Sequence, residues 1–452
     1  MSDQHSLERE ALGLAHSTVM GVAGTAPSFS IAASAATLIA AVGMLAPATV
    51  LYCGLVMFGI TFAFTHLNKV DPSAGASFTW VSKIFNPTLG YLSGWTVLVT
   101  AVLFMTSATI PAASATLLII APEYVDNQRV LTLVALAWLL LVIGVTVRGT
   151  AVAARMQMIF VGTELFVLAA IAIAAFAGAG PETARTMSFS DFSPSHFDAQ
   201  TFASGAVISL FLFWGWDVTL NLSEETKSGH HASSWGAVLA MVLLVLIYVT
   251  VHAVALTVLD DEAIKESGTN LLFAIADKLF PRPWSYLAVI VVMFSTVGAL
   301  ASTTLAFSRT LFAKSRHGVT HPRWSRLHHR WKTPHLATLL FAGLGSALLL
   351  GSLVAENVAE VLRISITAIG LQTAFYYGLT GFACAWAHRK AARKSVKTLL
   401  LAVLWPLLSA LTMWVAAVLL MRDFDLLTSC LGVGGILLGL IPLALQRRSK
   451  RG

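Results

Sequence analysis

Two carboxylates lie inside long apolar stretches of this 452-residue chain, and both could bind a cation or carry a proton. Asp217 ends the segment 213–217, and Glu164 lies in the segment 160–166, near the centre of the candidate span 152–178. A carboxylate at membrane depth costs about 2.5 kcal/mol or more, which makes it a functional candidate. Asp217 could hold a substrate ammonium group, or it could cap the short helix that follows it. Glu164 could carry a proton near neutral pH, or it could be a protonated, hydrogen-bonded packing residue.

A helix-breaking stretch near the N-terminus could supply free backbone amides. Gly24 and Pro27 interrupt an apolar run, from about residue 12 to 44, that is long enough to cross a bilayer. Proline cannot donate a backbone hydrogen bond, and glycine costs about 1 kcal/mol relative to alanine in a helix. Backbone groups freed in hydrocarbon must be buried in protein or face a wet cavity. We therefore expect a broken span with substrate contacts, rather than a simple proline kink. The expected contact residues are Gly24, Thr25, Ala26 and Ser28.

A second interruption lies at 211–217. If the chain consists of two repeats, this position in the second repeat matches that of the first interruption in the first repeat. Paired interruptions at matching places in two halves are typical of a transporter binding site. Aromatic side chains here could gate the site or stack on an organic cation, although ordinary packing is the alternative. The expected contact residues are Phe211, Trp214, Gly215, Trp216 and Asp217.

Hydroxyl groups in two later apolar segments allow further interpretations. Ser302, Thr303 and Thr304 could ligate a sodium ion, although hydroxyls in membrane helices more often bond their own backbone or a neighbouring helix. Tyr376 and Tyr377 could take part in gating, although packing is the favoured interpretation.

The remaining polar residues favour structural roles. His252 is a single histidine near one end of its apolar segment, and we interpret it as a satisfied core or interfacial residue rather than a proton relay. Arg309, Glu224 and Glu225 fall at the ends of apolar segments, where ion pairs that close or stabilise the structure are expected.

Composition places these residues in a membrane. The chain is 57% hydrophobic and 11% charged, whereas soluble domains carry about 25% charged residues. Its net charge of +7 does not indicate a nucleic-acid partner, because the basic residues do not gather on one soluble face. The three cysteines lie in apolar segments and predict no disulfide. We find no motif for an enzyme active site, a cofactor or a metal, so the sequence predicts none of these.

The sequence predicts an all-α membrane protein with twelve candidate spans, of which the first and the sixth are broken. A cytoplasmic tail (1–12) precedes one integral membrane domain (13–446), and a basic cytoplasmic tail (447–452) follows it. The candidate spans are 13–44, 46–67, 88–118, 129–147, 152–178, 202–226, 235–259, 284–313, 335–355, 361–387, 398–420 and 426–446.

The distribution of charged residues between the loops predicts the orientation of the chain in the membrane. With the N-terminus in the cytoplasm, most of the 29 basic residues lie in cytoplasmic loops, and the acidic cluster at 260–266 lies outside. Both termini are then cytoplasmic, in a cytoplasmic (inner) membrane, and no cleavable signal peptide is evident. Five spans per repeat force opposite orientations, so repeat one (13–178) and repeat two (202–387) are expected to be inverted, with two extra helices at 398–446.

Four stretches in order resemble the amino acid–polyamine–organocation (APC) permease superfamily. They are the broken first span; Pro72–Phe78 with Leu89–Trp95; 213–217 running into 221–227; and Ser308-Arg309, 314–318 and Thr333-Pro334. This resemblance implies a LeuT-like five-plus-five fold, alternating access and an amine-bearing substrate.

In the family, the amides of a Gly-x-Gly cluster in span 1 commonly bind the substrate carboxylate. This chain departs from that cluster, because Pro27 in Gly24-Thr25-Ala26-Pro27 lacks an amide donor. The amides of Thr25, Ala26, Ser28 and Phe29 could still bind an anion at the N-terminus of a half-helix, although the departure also allows a substrate without a carboxylate.

The resulting hypothesis is a secondary transporter that carries an amino acid, with proton coupling through Glu164. The alternative is a polyamine or other organic-cation transporter or exchanger of the same fold. A channel or an intramembrane enzyme is the third class. The expected partners are a small-molecule substrate, a coupling proton or sodium ion, and the lipid bilayer. The substrate's identity, the coupling ion, uptake against exchange, and the oligomeric state stay open.

Overall fold

The computed structural model describes residues 7, 12–125, 127–178, 185, 187–227, 230–354 and 358–449. Within these ranges the chain is helical, and its only β pairing is an isolated bridge between Leu12 and Thr226. Most of the two predicted tails lies outside the described residues. The prediction of an all-helical protein is confirmed.

The helices are numbered here in chain order. They are α1 (Leu14–Thr25), α2 (Pro27–Val42), α3 (Ala46–Val70), α4 (Ser77–Ile84), α5 (Pro87–Ile120), α6 (Gln128–Thr146), α7 (Thr150–Phe176), α8 (Ala199–Leu212), α9 (Val218–Asn221), α10 (His230–Val258), α11 (Asp261–Ser267), α12 (Leu271–Leu279), α13 (Leu287–Arg316), α14 (His335–Gly351), α15 (Val358–His388), α16 (Val396–Thr398), α17 (Trp405–Leu420), α18 (Leu426–Ser429), α19 (Gly435–Leu437) and α20 (Leu440–Ser449). Two π-helical segments, Leu399–Leu404 and Cys430–Gly434, join α16 to α17 and α18 to α19.

Eight helical stretches of the described chain are long and apolar enough to cross a membrane. The first, Leu14–Val70, is 57 residues long and contains α1, α2 and α3, while α14 is a shorter apolar helix. The prediction of a membrane protein is confirmed at this level, and the count of twelve spans stays a prediction. The eight stretches are Leu14–Val70, Pro87–Ile120, Gln128–Thr146, Thr150–Phe176, His230–Val258, Trp284–Arg316, Val396–Leu420 and Leu426–Ala444.

The first apolar run breaks where the sequence predicts. α1 ends at Thr25, and Ala26 adopts a left-handed backbone conformation with φ of 51°. L-residues enter this conformation only at a cost of about 1–2 kcal/mol, so the chain cannot continue one helix through it. Pro27 then occupies the first position of α2, where its missing N–H is tolerated.

The second break lies between α8 and α9, and it touches the first. The chain turns through residues 213–217 with Gly215 at φ of 110°, a conformation that favours glycine. A Cβ atom built on either Gly24 or Gly215 would collide with the carbonyl oxygen of the other. The two interrupted helices therefore meet backbone to backbone, and a side chain at either glycine would force them apart.

Candidate functional site

Asp217 is the buried carboxylate at the second break. Asp217 is 7% exposed, and its Oδ1 accepts a hydrogen bond of 2.7 Å from the hydroxyl of Tyr377. Its Oδ2 accepts one of 3.2 Å from the hydroxyl of Tyr376. Asp217 occupies the N-cap position of α9, but its side chain makes no capping hydrogen bond to that helix. Two phenols from α15 thus orient a carboxylate that has no basic partner among these contacts.

The same tyrosines bind the backbone and indole of the break. The Trp214 indole N–H donates a 2.9 Å hydrogen bond to the Tyr376 hydroxyl, and the Gly215 amide donates one of 3.4 Å to the Tyr377 hydroxyl. The packing interpretation of these tyrosines is therefore incomplete, because both hold the candidate site together. The sequence signal that could have found them is a pair of adjacent hydroxyl-bearing aromatics inside a membrane helix.

A small cavity lies beside Asp217. Gly24, Trp214, Gly215, Asp217 and Thr303 are among the residues that line it, and its volume is about 20 Å³. One water needs roughly 10–15 Å³ measured in this way, so the cavity has room for about one water. The site is thus closed around the carboxylate, and a molecule much larger than water enters only if the surrounding helices move.

Aromatic rings close one side of this cavity. The Trp214 ring packs edge-on against Phe104 with centroids 4.9 Å apart, and Phe104 packs against Phe29 at 5.8 Å. Phe211 contacts Phe29 at 6.4 Å. Phe29 also lines a second cavity of about 40 Å³, so these rings stand between the two cavities. Phe104, which the sequence did not single out, connects the rings of Trp214 and Phe29.

Trp216 lies on the other side of the break. It is fully buried, and its ring packs against Phe64 at 5.3 Å and Tyr377 at 5.7 Å. Unlike Trp214 and Gly215, Trp216 does not line the cavity beside Asp217, and it packs behind the break.

The amides at the start of α2 already have acceptors. The Ser28 amide donates a 2.7 Å hydrogen bond to Oε1 of Glu164, and the Phe29 amide donates one of 3.3 Å to the Ser295 hydroxyl. The Ala26 amide donates to the Val22 carbonyl within α1. Of the amides predicted to bind an anion, that of Ser28 therefore faces a carboxylate of the protein itself, from α7. Negative charge is stabilised at a helix N-terminus, which explains the pairing.

Glu164 is fully buried and half satisfied. Its Oε2 has no hydrogen-bond partner among the described residues, and neither has the Ser28 hydroxyl. The Ser295 hydroxyl approaches the carboxylate from α13, and Tyr248 faces it from α10. Glu164 thus joins α7 to the first break, a contact that its position in the sequence does not reveal.

The candidate sodium-ligating hydroxyls do not converge in this structure. Thr304 donates to the Leu300 carbonyl of its own helix, while the Ser302 hydroxyl accepts from Gln157. Thr303 is the one that reaches the cavity beside Asp217. His252 is buried and bonds the Tyr248 carbonyl through Nδ1, whereas its Nε2 has no partner among the described residues. It is a core residue, as predicted, but it is only partly satisfied.

Ion pairs lie at the other ends of α7 and α13, as the sequence predicts. Arg309 and Glu225 form a 2.9 Å salt bridge with side chains 0% and 1% exposed, and Thr150 bonds both partners. Nearby, Arg316 and Glu224 pair at 2.6 Å with side chains 39% and 21% exposed.

The sequence matches the profile of a family described as amino acid permease over residues 11–436. The branched-chain amino acid permease BcaP of Lactococcus lactis subsp. cremoris (strain MG1363) is 24% identical over 221 residues, which cover 45% of this chain and 46% of that relative. The chain thus spans about half the length of the curated relative that it matches. The chain belongs to the amino acid permease family and to the APC superfamily that its motifs resemble.

Proposed function

We propose that the protein is a secondary transporter that carries an amino acid across the cytoplasmic membrane by alternating access. The observation that carries this proposal is the contact between two interrupted helices beside the buried Asp217. Half-helices that meet at membrane depth offer backbone groups and a carboxylate to a small polar molecule without exposing them to lipid. Membership of the amino acid permease family supports the class of substrate.

The proposed architecture has twelve spans, the first and sixth broken, in two inverted repeats of five with two extra helices. The order of the helices supports it, because α1 with α2 and α8 with α9 stand at matching places in the two halves. In the proposed orientation both termini are cytoplasmic, the Arg309–Glu225 pair lies on the cytoplasmic side, and the rings of Phe29, Phe104 and Trp214 lie towards the outside. The ion pair and the aromatic rings would open alternately, each giving access from its own side of the membrane.

Asp217 is proposed to receive the substrate ammonium group. Its two phenol donors are neutral, so a cationic substrate supplies the charge that the buried carboxylate lacks. Val97, Ala101 and Val218 line the same cavity and favour an apolar side chain. The name of the relative, a branched-chain amino acid permease, is consistent with such a substrate, and we propose a branched-chain or other apolar amino acid.

Glu164 is proposed to couple transport to protons by competing with the substrate. Its carboxylate accepts the Ser28 amide, which is one of the donors that a substrate carboxylate would need. A protonated Glu164 is a weaker acceptor, so proton binding would release this amide to the substrate. Substrate and proton would then enter together, since each favours the same arrangement of α2.

A polyamine or other organic cation is the second candidate substrate. The occupied amides of Ser28 and Phe29 favour it, because a substrate without a carboxylate needs neither donor. Asp217 and Trp214 would then bind the cation through charge and an aromatic face.

Uptake into proteoliposomes distinguishes these candidates. We expect labelled leucine or valine to accumulate when the outside is acidic, and to accumulate far less without a pH gradient. Unlabelled apolar amino acids should compete, whereas putrescine should not. Accumulation of putrescine with no competition from amino acids would overturn the proposed substrate, and equal accumulation with and without the gradient would overturn proton coupling.

The Glu164→Gln variant tests the coupling role directly. Glutamine keeps an acceptor for the Ser28 amide but cannot titrate, so uptake driven by a pH gradient should fall to the level measured without one. Exchange of internal for external amino acid needs no net proton movement and should continue. Substrate affinity at alkaline pH should rise, because a neutral amide competes less strongly for the Ser28 amide. A pH profile identical to that of the unmodified protein would show that Glu164 does not couple.

A further inference from the structure

Three buried polar residues follow one face of α7 at a spacing of seven. Thr150, Gln157 and Glu164 are each fully buried, and seven residues make nearly two helical turns, so successive members lie about 10 Å apart along the axis. The other face of α7 is apolar and exposed. Its exposed residues include Ile159, Phe166 and Ile173.

α13 carries polar partners at the same spacing in the reverse order. Ser295 approaches Glu164, Ser302 bonds Gln157, and Arg309 bonds Thr150. These six residues form three layers between two antiparallel helices, and we name them the polar seam. It runs from the depth of the first break to the buried Arg309–Glu225 pair.

The middle layer of the polar seam is incompletely satisfied. The Gln157 side-chain amide donates a hydrogen bond of 2.5 Å to the Gly298 carbonyl and one of 3.4 Å to the Ser302 hydroxyl. Its Oε1 is buried with no partner among the described residues, and a Cβ at Gly298 would lie only 2.6 Å from it. A buried acceptor without a partner costs about 1–3 kcal/mol, so a purely structural interface would be more stable with an apolar residue here.

Above it, Glu164 repeats this pattern, since its Oε2 is also without a partner in the described chain. Below it, the third layer is fully bonded and closed, with the Arg309 charge balanced by Glu225. Layers about 10 Å apart are too distant for direct proton transfer and require water between them. The unpartnered oxygens are the atoms that such water would bind.

We propose that the polar seam is the route by which cytoplasmic water reaches Glu164, and by which its proton leaves, once α7 and α13 separate below the first break. The proton part rests on the proposed function, whereas the entry of water does not. Tyr248, on α10, is the titratable group that faces Glu164 from the opposite side, and it lies off this route. The seam is distinct from the cavity beside Asp217, so substrate and proton would leave along separate paths.

Cysteine accessibility tests the entry of water. In a background without the native Cys53, Cys384 and Cys430, single cysteines replace Gln157 or Ser302. Leu168 is the matched control, because it is equally buried on α7 but lies one turn beyond Glu164. A membrane-impermeant cationic thiol reagent on the cytoplasmic side should label positions 157 and 302 about tenfold or more faster than 168. Equal rates at all three positions would overturn the proposal, and Ser302→Cys keeps the test valid if Gln157→Cys fails to fold.

The Gln157→Leu variant tests the exit of the proton. Leucine fills the layer without polar atoms, so uptake driven by a pH gradient should slow by about tenfold, while amino acid exchange stays within about twofold. Gln157→Asn, which restores an amide, should recover part of the rate. Gradient-driven uptake unchanged by Gln157→Leu would overturn the proton route. If the unmodified protein shows no pH-dependent uptake, the proposed coupling fails, and the labelling pattern still decides whether water enters the seam.

Discussion

Replacing Asp217 by asparagine should weaken amino acid binding more than any other single change at the site. The variant keeps the size of the side chain and one of the two oxygens that accept from Tyr376 and Tyr377, but it removes the charge that faces the substrate ammonium group. Loss of one partner of a buried charged pair costs about 2–5 kcal/mol, or roughly 30-fold to several thousand-fold in Kd. Equilibrium binding of labelled leucine to the purified protein measures this loss.

A substrate analogue separates recognition from stability. 4-Methylpentanoate has the carbon skeleton and carboxylate of leucine but no amine, so Asp217→Asn should leave its weak affinity unchanged. Tyr377→Phe is the companion variant, because it removes one donor to Asp217 while keeping the charge, and it should cost far less than Asp217→Asn. Unmodified leucine affinity in Asp217→Asn would refute the ammonium contact. An equal loss for leucine and the analogue would point to damage of the whole site instead.

The two breaks could be predicted from sequence because their signals are local. Pro27 cannot continue α1, and Gly215 permits a backbone conformation that other residues avoid. Asp217 stood out for a similar reason, since a carboxylate within an apolar run is costly wherever the chain folds. Each of these properties belongs to one residue and its immediate neighbours, so no knowledge of the packing was required.

The partners of these residues could not be predicted, because they come from distant parts of the chain. Tyr376 and Tyr377 reach Asp217 across 159 and 160 residues, and Ser28 reaches Glu164 across 136. From the sequence, the amides at the start of α2 were expected to bind a substrate carboxylate. In this conformation the Ser28 amide instead donates its hydrogen bond to a carboxylate from α7. Which of two acceptors an amide takes depends on helix packing, which a periodic apolar pattern leaves undetermined.

The buried Arg309–Glu225 ion pair is proposed to close the predicted cytoplasmic side, and this role leads to a second prediction. Glu225→Gln leaves the Arg309 guanidinium fully buried with no counter-charge, because Thr150 and Ser308 offer it only hydroxyl groups. Breaking such a pair costs about 3–5 kcal/mol, so the midpoint of thermal unfolding in detergent should fall by several degrees. Opening of this end should also become easier, and a cysteine at Ser302 should react faster from the cytoplasmic side than in the protein that keeps Glu225.

The neighbouring residue provides the matched control for this prediction. Glu224→Gln removes the same charge one position earlier, but its pair with Arg316 is partly exposed, so the change should stay within about 1 kcal/mol. Combining Glu225→Gln with Arg309→Met should recover much of the lost stability, because no unpaired charge then remains buried. If Glu224→Gln lowers the unfolding midpoint as much as Glu225→Gln, burial does not set the strength of this closure. If the double variant is no more stable than Glu225→Gln, the lost stability does not come from an unpaired Arg309.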